Sequence, residues 1–213
     1  EEKDAIRKGK EFYEKCKESA NLYSLLSPDK RVEMKGVHID GESIATCKAV
    51  TVVDASAEEC AASEFYGTHS RQMTKTASAR GVYTQVKHVN KHKILWFTRR
   101  SLGVPGLSKR DFKTEVIYKE EGGKILLDFS STQDKLEGFP EEKGAVEGFV
   151  HTTWYFEPLH PINGYIPQTR VTMISNVDLC GFIPNAIMNK LGPKFLSAVS
   201  VLRKRFDKSN EIA

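Results

Sequence analysis

Residues 184–206, PNAIMNKLGPKFLSAVSVLRKRF, decide how the whole chain is read. Ile187, Met188, Leu191, Phe195, Ala198, Val199, Leu202 and Phe206 recur at helical spacing, so they form one apolar stripe on a long C-terminal helix. Pro184 falls in the first turn, where its missing N–H costs nothing. Gly192-Pro193 interrupts the stripe in mid-course. Pro193 lacks an N–H and its ring crowds the preceding turn, which predicts a kink or short break there. The stripe is long for a helix covering a small curved sheet, and the excess predicts space beneath it.

Outward from this helix the chain is rich in hairpin signals. Residues 149–156 and 169–177 read as strands. Residues 112–119 and 124–131 form a hairpin on Glu121-Gly122-Gly123, and residues 81–89 and 93–98 another around Asn90-Lys91-His92. Ser56 and Glu59 make a capping box that opens a helix running to about Tyr66. Residues 30–39 and 42–54 are strands joined at Asp40-Gly41, and residues 1–26 an amphipathic helix ended by Ser27-Pro28-Asp29. Hairpins predict an antiparallel sheet and an α+β chain of one domain, residues 1–213, with an N-terminal helix (1–26), a sheet core (30–177) and the C-terminal helix (184–206).

Composition narrows the class. Of 213 residues, 39% are apolar and 28% charged, with a net charge of +4, which excludes a disordered chain. No apolar run approaches the ~18 residues of a membrane span. No secretory signal is visible. The chain begins at Glu1 rather than Met, as a domain of a larger protein would. Cys16, Cys47, Cys60 and Cys180 are scattered without ligand spacing and read as free thiols in a reducing, cytoplasmic compartment.

Three motifs carry a resemblance. Residues 177–189, VDLCGFIPNAIMN, followed by Leu202-Arg203-Lys204-Arg205, resemble the C-terminal signature of steroidogenic-acute-regulatory-related lipid-transfer (START) domains. Ser108-Lys109-Arg110-Asp111-Phe112 resembles that family's Arg-Asp-Phe strand start, and Phe139-Pro140-Glu141-Glu142-Lys143-Gly144 the segment before its penultimate strand. They come in the family's order and spacing. The resemblance implies a helix-grip fold: a curved antiparallel sheet of about nine strands closed over a lipid tunnel by the C-terminal helix. It implies a monomer that binds one lipid without catalysis or cofactor and transfers it between membranes.

The family's inward register, carried onto this chain, implies ligand contacts from Leu95 and Phe97; Thr114, Val116 and Tyr118; Leu127 and Phe129; Val150, Thr152 and Trp154; and Thr172, Ile174 and Asn176. Met188, Leu191, Phe195 and Val199 are added from the helix. The acid and base with which sterol-carrying members bind a hydroxyl fall at Phe97 and Val116, and the family's Arg after Lys-Gly is Glu147, so that pair is missing. Thr114, Tyr118, Thr152, His151, Thr172 and Asn176 are the polar handles left. The expected ligand is a phospholipid or another apolar lipid, a two-chain lipid before a sterol. Burying ~20 methylenes at ~0.8 kcal/mol each gives roughly 16 kcal/mol. Release into water is then slow, and release onto a membrane feasible.

Such a carrier needs a lid. Residues 101–108, SLGVPGLS, form an oily loop that the resemblance places against the C-terminal helix at the tunnel mouth. Leu102, Val104, Pro105 and Leu107 are the expected membrane contacts, and Gly192 and Pro193 the point about which the helix moves. Residues 80–113 carry nine basic side chains against Asp111, a local charge of +8, which predicts peripheral contact with an anionic membrane surface. No nucleic-acid motif accompanies them.

Other chemistry is weaker. His88 and His92 lie on a hairpin, not a helix, so their spacing suits no metal. Arg110-Asp111 reads as a structural ion pair. No G-x-S-x-G, P-loop or G-x-G-x-x-G occurs. Two alternatives share the architecture: a lipid-sensing module of a larger protein, and a cyclase or aromatase, which would need titratable groups inside the cavity.

Overall fold

Each predicted hairpin folds the chain back on its own neighbour, and the strands join into one sheet. In this computed structural model the described residues are 2–18, 22–37, 46–67, 75, 78–79, 81–181, 183 and 185–212. The strands are β1 (Leu22–Ser24), β2 (Glu33–Val37), β3 (Thr46–Val53), β4 (Tyr83–His88), β5 (Lys93–Arg100), β6 (Arg110–Glu121), β7 (Lys124–Ser131), β8 (Val146–Ile162) and β9 (Ile166–Asp178). They lie in the order β1-β2-β3-β9-β8-β7-β6-β5-β4, each antiparallel to its neighbours. A short parallel pairing of Arg110–Phe112 with Val146–Gly148 is added where β6 meets β8. The helices are α1 (Glu2–Glu18), α2 (Ala57–Gly67), α3 (Asn185–Arg205) and the single turn α4 (Ser209–Ile212). This is the expected α+β helix-grip architecture.

α2 and α3 cover the concave face. Phe65 of α2 and Leu196, Val199 and Leu202 of α3 close a core with Ile94, Val116, Leu127, Trp154, Phe156 and Val171 from the sheet. The capping box forms as predicted: the Ser56 N–H donates to Glu59 Oε2 at 2.8 Å and the Glu59 N–H to Ser56 Oγ at 3.2 Å. α1 lies on the opposite, convex face. Ile6 packs on Ile117 and Leu126, Cys16 on Ile174, Phe12 stacks on His151 at 4.5 Å and Tyr13 on Tyr155 at 4.6 Å. Gly9 permits this approach, since a Cβ there would stand 2.5 Å from the carboxylate of fully buried Asp128.

Three predicted boundaries change. The first helix stops at Glu18, and Leu22–Ser24 is an edge strand, because Tyr23 lies over the bare backbone of its partner Gly36. β8 and β9 run on to Ile162 and back from Ile166, joined by a turn with Asn163 at φ 53° and Gly164 at φ 76°, the left-handed pair a tight hairpin requires. α3 runs unbroken through Pro193. One lost hydrogen bond does not end a helix anchored on both sides of it, by Leu191 toward residues 102–112 and by Leu196, Val199 and Leu202 in the core. The Asp40-Gly41 turn lies outside the described residues.

Candidate functional site

Where the concave face rises toward α3, the packing opens into a cavity of about 490 Å³. Its sheet wall is built from alternate residues of five strands: Trp96, Thr98 and Arg100 from β5; Phe112 and Thr114 from β6; Phe129 from β7; Val150, Thr152 and Trp154 from β8; Met173, Ser175 and Val177 from β9. α3 closes it with Lys194, Phe195, Ser197, Ala198 and Val201, and α2 contributes Glu64.

The expected site residues divide into four groups. Thr114, Phe129, Val150, Thr152, Trp154 and Phe195 line the cavity. Val116, Leu127, Tyr118 and Val199 share that side but are packed in the core below it, and Leu191 packs with Leu102 and Leu179. Met188 lies outside the described side chains. Leu95, Phe97, Thr172, Ile174 and Asn176 face the other way, which corrects the register of two strands. Leu95 and Phe97 pack under Leu136 and Phe139. Ile174 lies against Cys16 of α1, and the Asn176 side chain donates to Thr46 Oγ1 at 3.0 Å.

The reason is cross-strand pairing. Residues directly opposite share a face, and a shift of one residue turns every side chain over. Trp96 is opposite Thr114, Trp154 opposite Met173 and Thr152 opposite Ser175, so inward Thr114, Trp154 and Thr152 require inward Trp96, Met173 and Ser175. His151 faces the convex side too: its Nε2 lies 3.0 Å from Asp128 Oδ1.

The register also changes the electrostatics of the interior. Phe97 is not a cavity position, and three charged residues that sequence reasoning missed are: Lys194, exposed on α3, and the deeper Glu64 and Arg100. Glu64 is 8% exposed, and burial pushes its carboxyl up to about 7 against a weaker opposing effect of Arg205. Arg100, the last residue of β5, holds its guanidinium over the Phe112 ring at 4.9 Å, and its buried Nε has no hydrogen-bond partner. Burial pushes its pKa down. Both could have been found. Ala57, Cys60, Ala61, Glu64 and Phe65 form the buried stripe of α2 at helical spacing, and the parity of Trp96 carries Arg100 inward.

Part of the cationic stretch is buried or paired: Lys93, Arg99 and Arg110 are buried, while Lys87, Lys91 and Lys109 are exposed. Arg99 donates from Nε and Nη2 to Asp111 at 2.6 and 2.5 Å and from Nη2 to the Pro140 carbonyl at 2.8 Å. Lys93 pairs with Glu115 at 2.8 Å. Lys109 pairs with Glu142 and Lys113 with Glu147. Arg110 does not pair with Asp111. It donates to the carbonyls of Leu179 (2.6 Å), Cys180 (3.2 Å) and Ser108, which ties β6 to the β9–α3 connection where Cys180 stands at φ 49°.

The loop of residues 101–109 packs against α3. Leu102 is buried with Phe112, Val177, Leu179 and Leu191, and Leu107 and Phe195 lean on the same cluster. Pro105 is exposed and Val104 half-buried at the tip, which turns on Gly103 (φ 71°) and Gly106 (φ 81°). Pro193 is half-buried, and Gly192 lies outside the described side chains. Among the described residues no cluster of His, Cys, Asp or Glu could hold a metal ion, no helix is long and apolar enough to cross a membrane, and all four cysteines are free.

A curved antiparallel sheet that grips a C-terminal helix, with a cavity between them, defines a helix-grip protein. No family model matches the chain. It is 32% identical over 101 residues to the mitochondrial steroidogenic acute regulatory protein of Equus caballus, covering 47% of this chain and 34% of that protein. It is 33% identical over 82 residues to the steroidogenic acute regulatory protein of Xenopus laevis, covering 38% and 27%. The chain thus matches about a third of the length of these relatives. Among solved structures, human StAR-related lipid transfer protein 5 superposes with a TM-score of 0.68 at 17% identity, covering 97% of this chain and 99% of that one. The lipid transfer and protein localization domain of human StarD13 gives 0.66 at 17%, covering 95% and 97%. The chain thus has the fold of START-domain structures and is similar in sequence, over 101 residues, to a steroidogenic acute regulatory protein.

Proposed function

We propose that residues 1–213 form one lipid-binding domain that takes a single lipid into the cavity and transfers it, chemically unchanged, between membranes. The observation that carries this reading is the cavity itself, walled by Trp96, Phe112, Phe129, Trp154, Met173 and Phe195 and roofed by a helix and an oily loop. Apolar walls with a few polar groups are the ordinary form of a small-molecule site. At roughly 30 Å³ per water-sized group, the 490 Å³ holds about 16 such groups. That favours one acyl chain or a compact ring system over a two-chain lipid. Burial of ~16 methylenes at ~0.8 kcal/mol each still gives roughly 13 kcal/mol, so loading and release belong at a bilayer, with the loop of residues 101–109 and α3 as the mouth. Free thiols suit a reducing compartment such as the cytoplasm.

Glu64 supports a second reading, an enzyme of the same architecture in which this carboxyl holds or moves a proton. One assay separates the two. Transfer of a fluorescent fatty-acyl lipid between vesicles is expected from the wild-type chain, with the lipid recovered at unchanged mass. Ala198→Trp, which fills the cavity from α3, is expected to lower the transfer rate at least about tenfold while the circular dichroism stays native. Transfer undiminished in a folded Ala198→Trp contradicts the carrier reading, and an altered mass of the recovered lipid favours the enzyme.

A further inference from the structure

Arg100 is a cation in want of a partner. Arg100 is half-buried; its Nε is sealed from water with no hydrogen-bond partner among the described residues, and its guanidinium lies over the Phe112 ring. The basic side chains around it in the sequence are matched, Arg99 by Asp111, Lys109 by Glu142 and Lys113 by Glu147. Directly opposite Arg100 on β6 stands Arg110, whose guanidinium is held by neutral carbonyls alone. Two arginines therefore stand side by side on the sheet, and among the described residues no carboxylate pairs with either. Interiors rarely leave a buried donor unmatched, and a buried charge without a counter-ion is costly. Arginine does not escape that cost by losing its proton. Burial disfavours the charged form here.

We propose that the cavity's ligand is an amphiphile with one acidic group, a carboxylate or a phosphate, and that this group is the counter-ion of Arg100. The proposal rests on the lipid-carrier reading and narrows it. A neutral alcohol or sterol would leave the guanidinium unpaired, whereas an oxyanion accepts from its Nε in a charge-assisted hydrogen bond. Arg100 is the last residue of β5 and the loop of residues 101–109 follows it, so the acidic end lies under the loop. The tail runs from there past Phe129 toward Trp154 and Met173. The volume fits a single chain.

The test is competition of dodecanoic acid, dodecyl phosphate and dodecanol against a bound fluorescent lipid, on the whole chain and on Arg100→Met. One charge-assisted hydrogen bond corresponds to roughly a ten- to hundredfold preference for either acid over the alcohol. That preference is expected in the wild type and absent in Arg100→Met, through weaker binding of the acids and unchanged binding of dodecanol. A preference for both acids supports any oxyanion, and a preference for dodecyl phosphate alone supports a phosphate head. If the wild type binds dodecanol as tightly as both acids, or if Arg100→Met keeps the preference, the proposal is overturned while the carrier reading stands. If none of the three binds, both fall. Should Arg100→Met not fold, the wild-type comparison of acids with alcohol still decides.

Discussion

Glu64 shows how much one residue can hold that its surroundings in sequence conceal. It lies among Ala, Ser, Glu and Cys on a short helix, yet the helix turns it inward with Phe65, and the interior raises its carboxyl from 4.5 to about 7. Between those two values the folded chain holds a proton that the unfolded chain has lost, so stability falls as pH rises through that window. At ~1.36 kcal/mol per unit the loss totals roughly 3 kcal/mol. Thermal melts from about pH 5 to about pH 8 are expected to show it. Wild-type stability should decline relative to Glu64→Gln, and the variant should be the more stable above neutrality. Parallel profiles would mean that Glu64 is not in the protonated, desolvated state its position implies. Arg100 was legible by a different route. The pairing of β5 with β6, which sets Trp96 opposite Thr114, gives its direction without any reference to relatives.

At the scale of elements, what the sequence made plain were the features with strong local chemistry: the capping box at Ser56, the hairpin glycines and the C-terminal stripe. The faces of β5 and β9 were not plain, for a physical reason. A strand with one wet face alternates, but both faces of these two are covered, β5 by Leu136 and Phe139 and β9 by α1. Buried residues therefore stand on both faces of each strand, and alternation does not choose between them. The charge sum overstates the surface cation, because it counts Lys93, Arg99 and Arg110, which are buried, with Lys87, Lys91 and Lys109, which are exposed. The mouth makes an element-scale prediction. Leu102 is structural, bound into the cluster with Leu179 and Leu191, while Val104 and Pro105 form the tip. Val104→Asp combined with Pro105→Asp is expected to slow vesicle-to-vesicle transfer about tenfold or more, since two apolar contacts with the bilayer become charged. Lipid occupancy and melting temperature should not change. Equal transfer rates would remove the tip from the membrane contact. The far end of α3 has a different task. Arg203 donates to buried Asp29 at 2.7 Å and to Asp207 at 3.1 Å. Burial opposes ionisation of Asp29, but hydrogen bonds from the Arg31 N–H and Arg203 outweigh it and hold its carboxyl below the usual range. That end is the fixed one, and any motion of the helix belongs to the half that packs on the loop.

For the molecule as a whole, function follows from an imbalance of filling. α1 packs the convex face closely, down to the single hydrogen of Gly9, while the concave face is filled at one end by Phe65, Leu196 and Leu202 and left open at the other. The architecture was readable because hairpins, helix stripe and motif order agree on it. The extent of the opening was not, because apolar residues that line a void and those that fill a core are the same types. The most direct measurement is native mass spectrometry of the chain after incubation with vesicles of mixed lipid extract, with the retained species released and identified. The expected result is one lipid per protein, of a size the cavity admits, lost in Ala198→Trp. A protein that emerges with no adduct, or with the same adduct when the cavity is filled, would contradict the claim that this interior exists to carry a lipid.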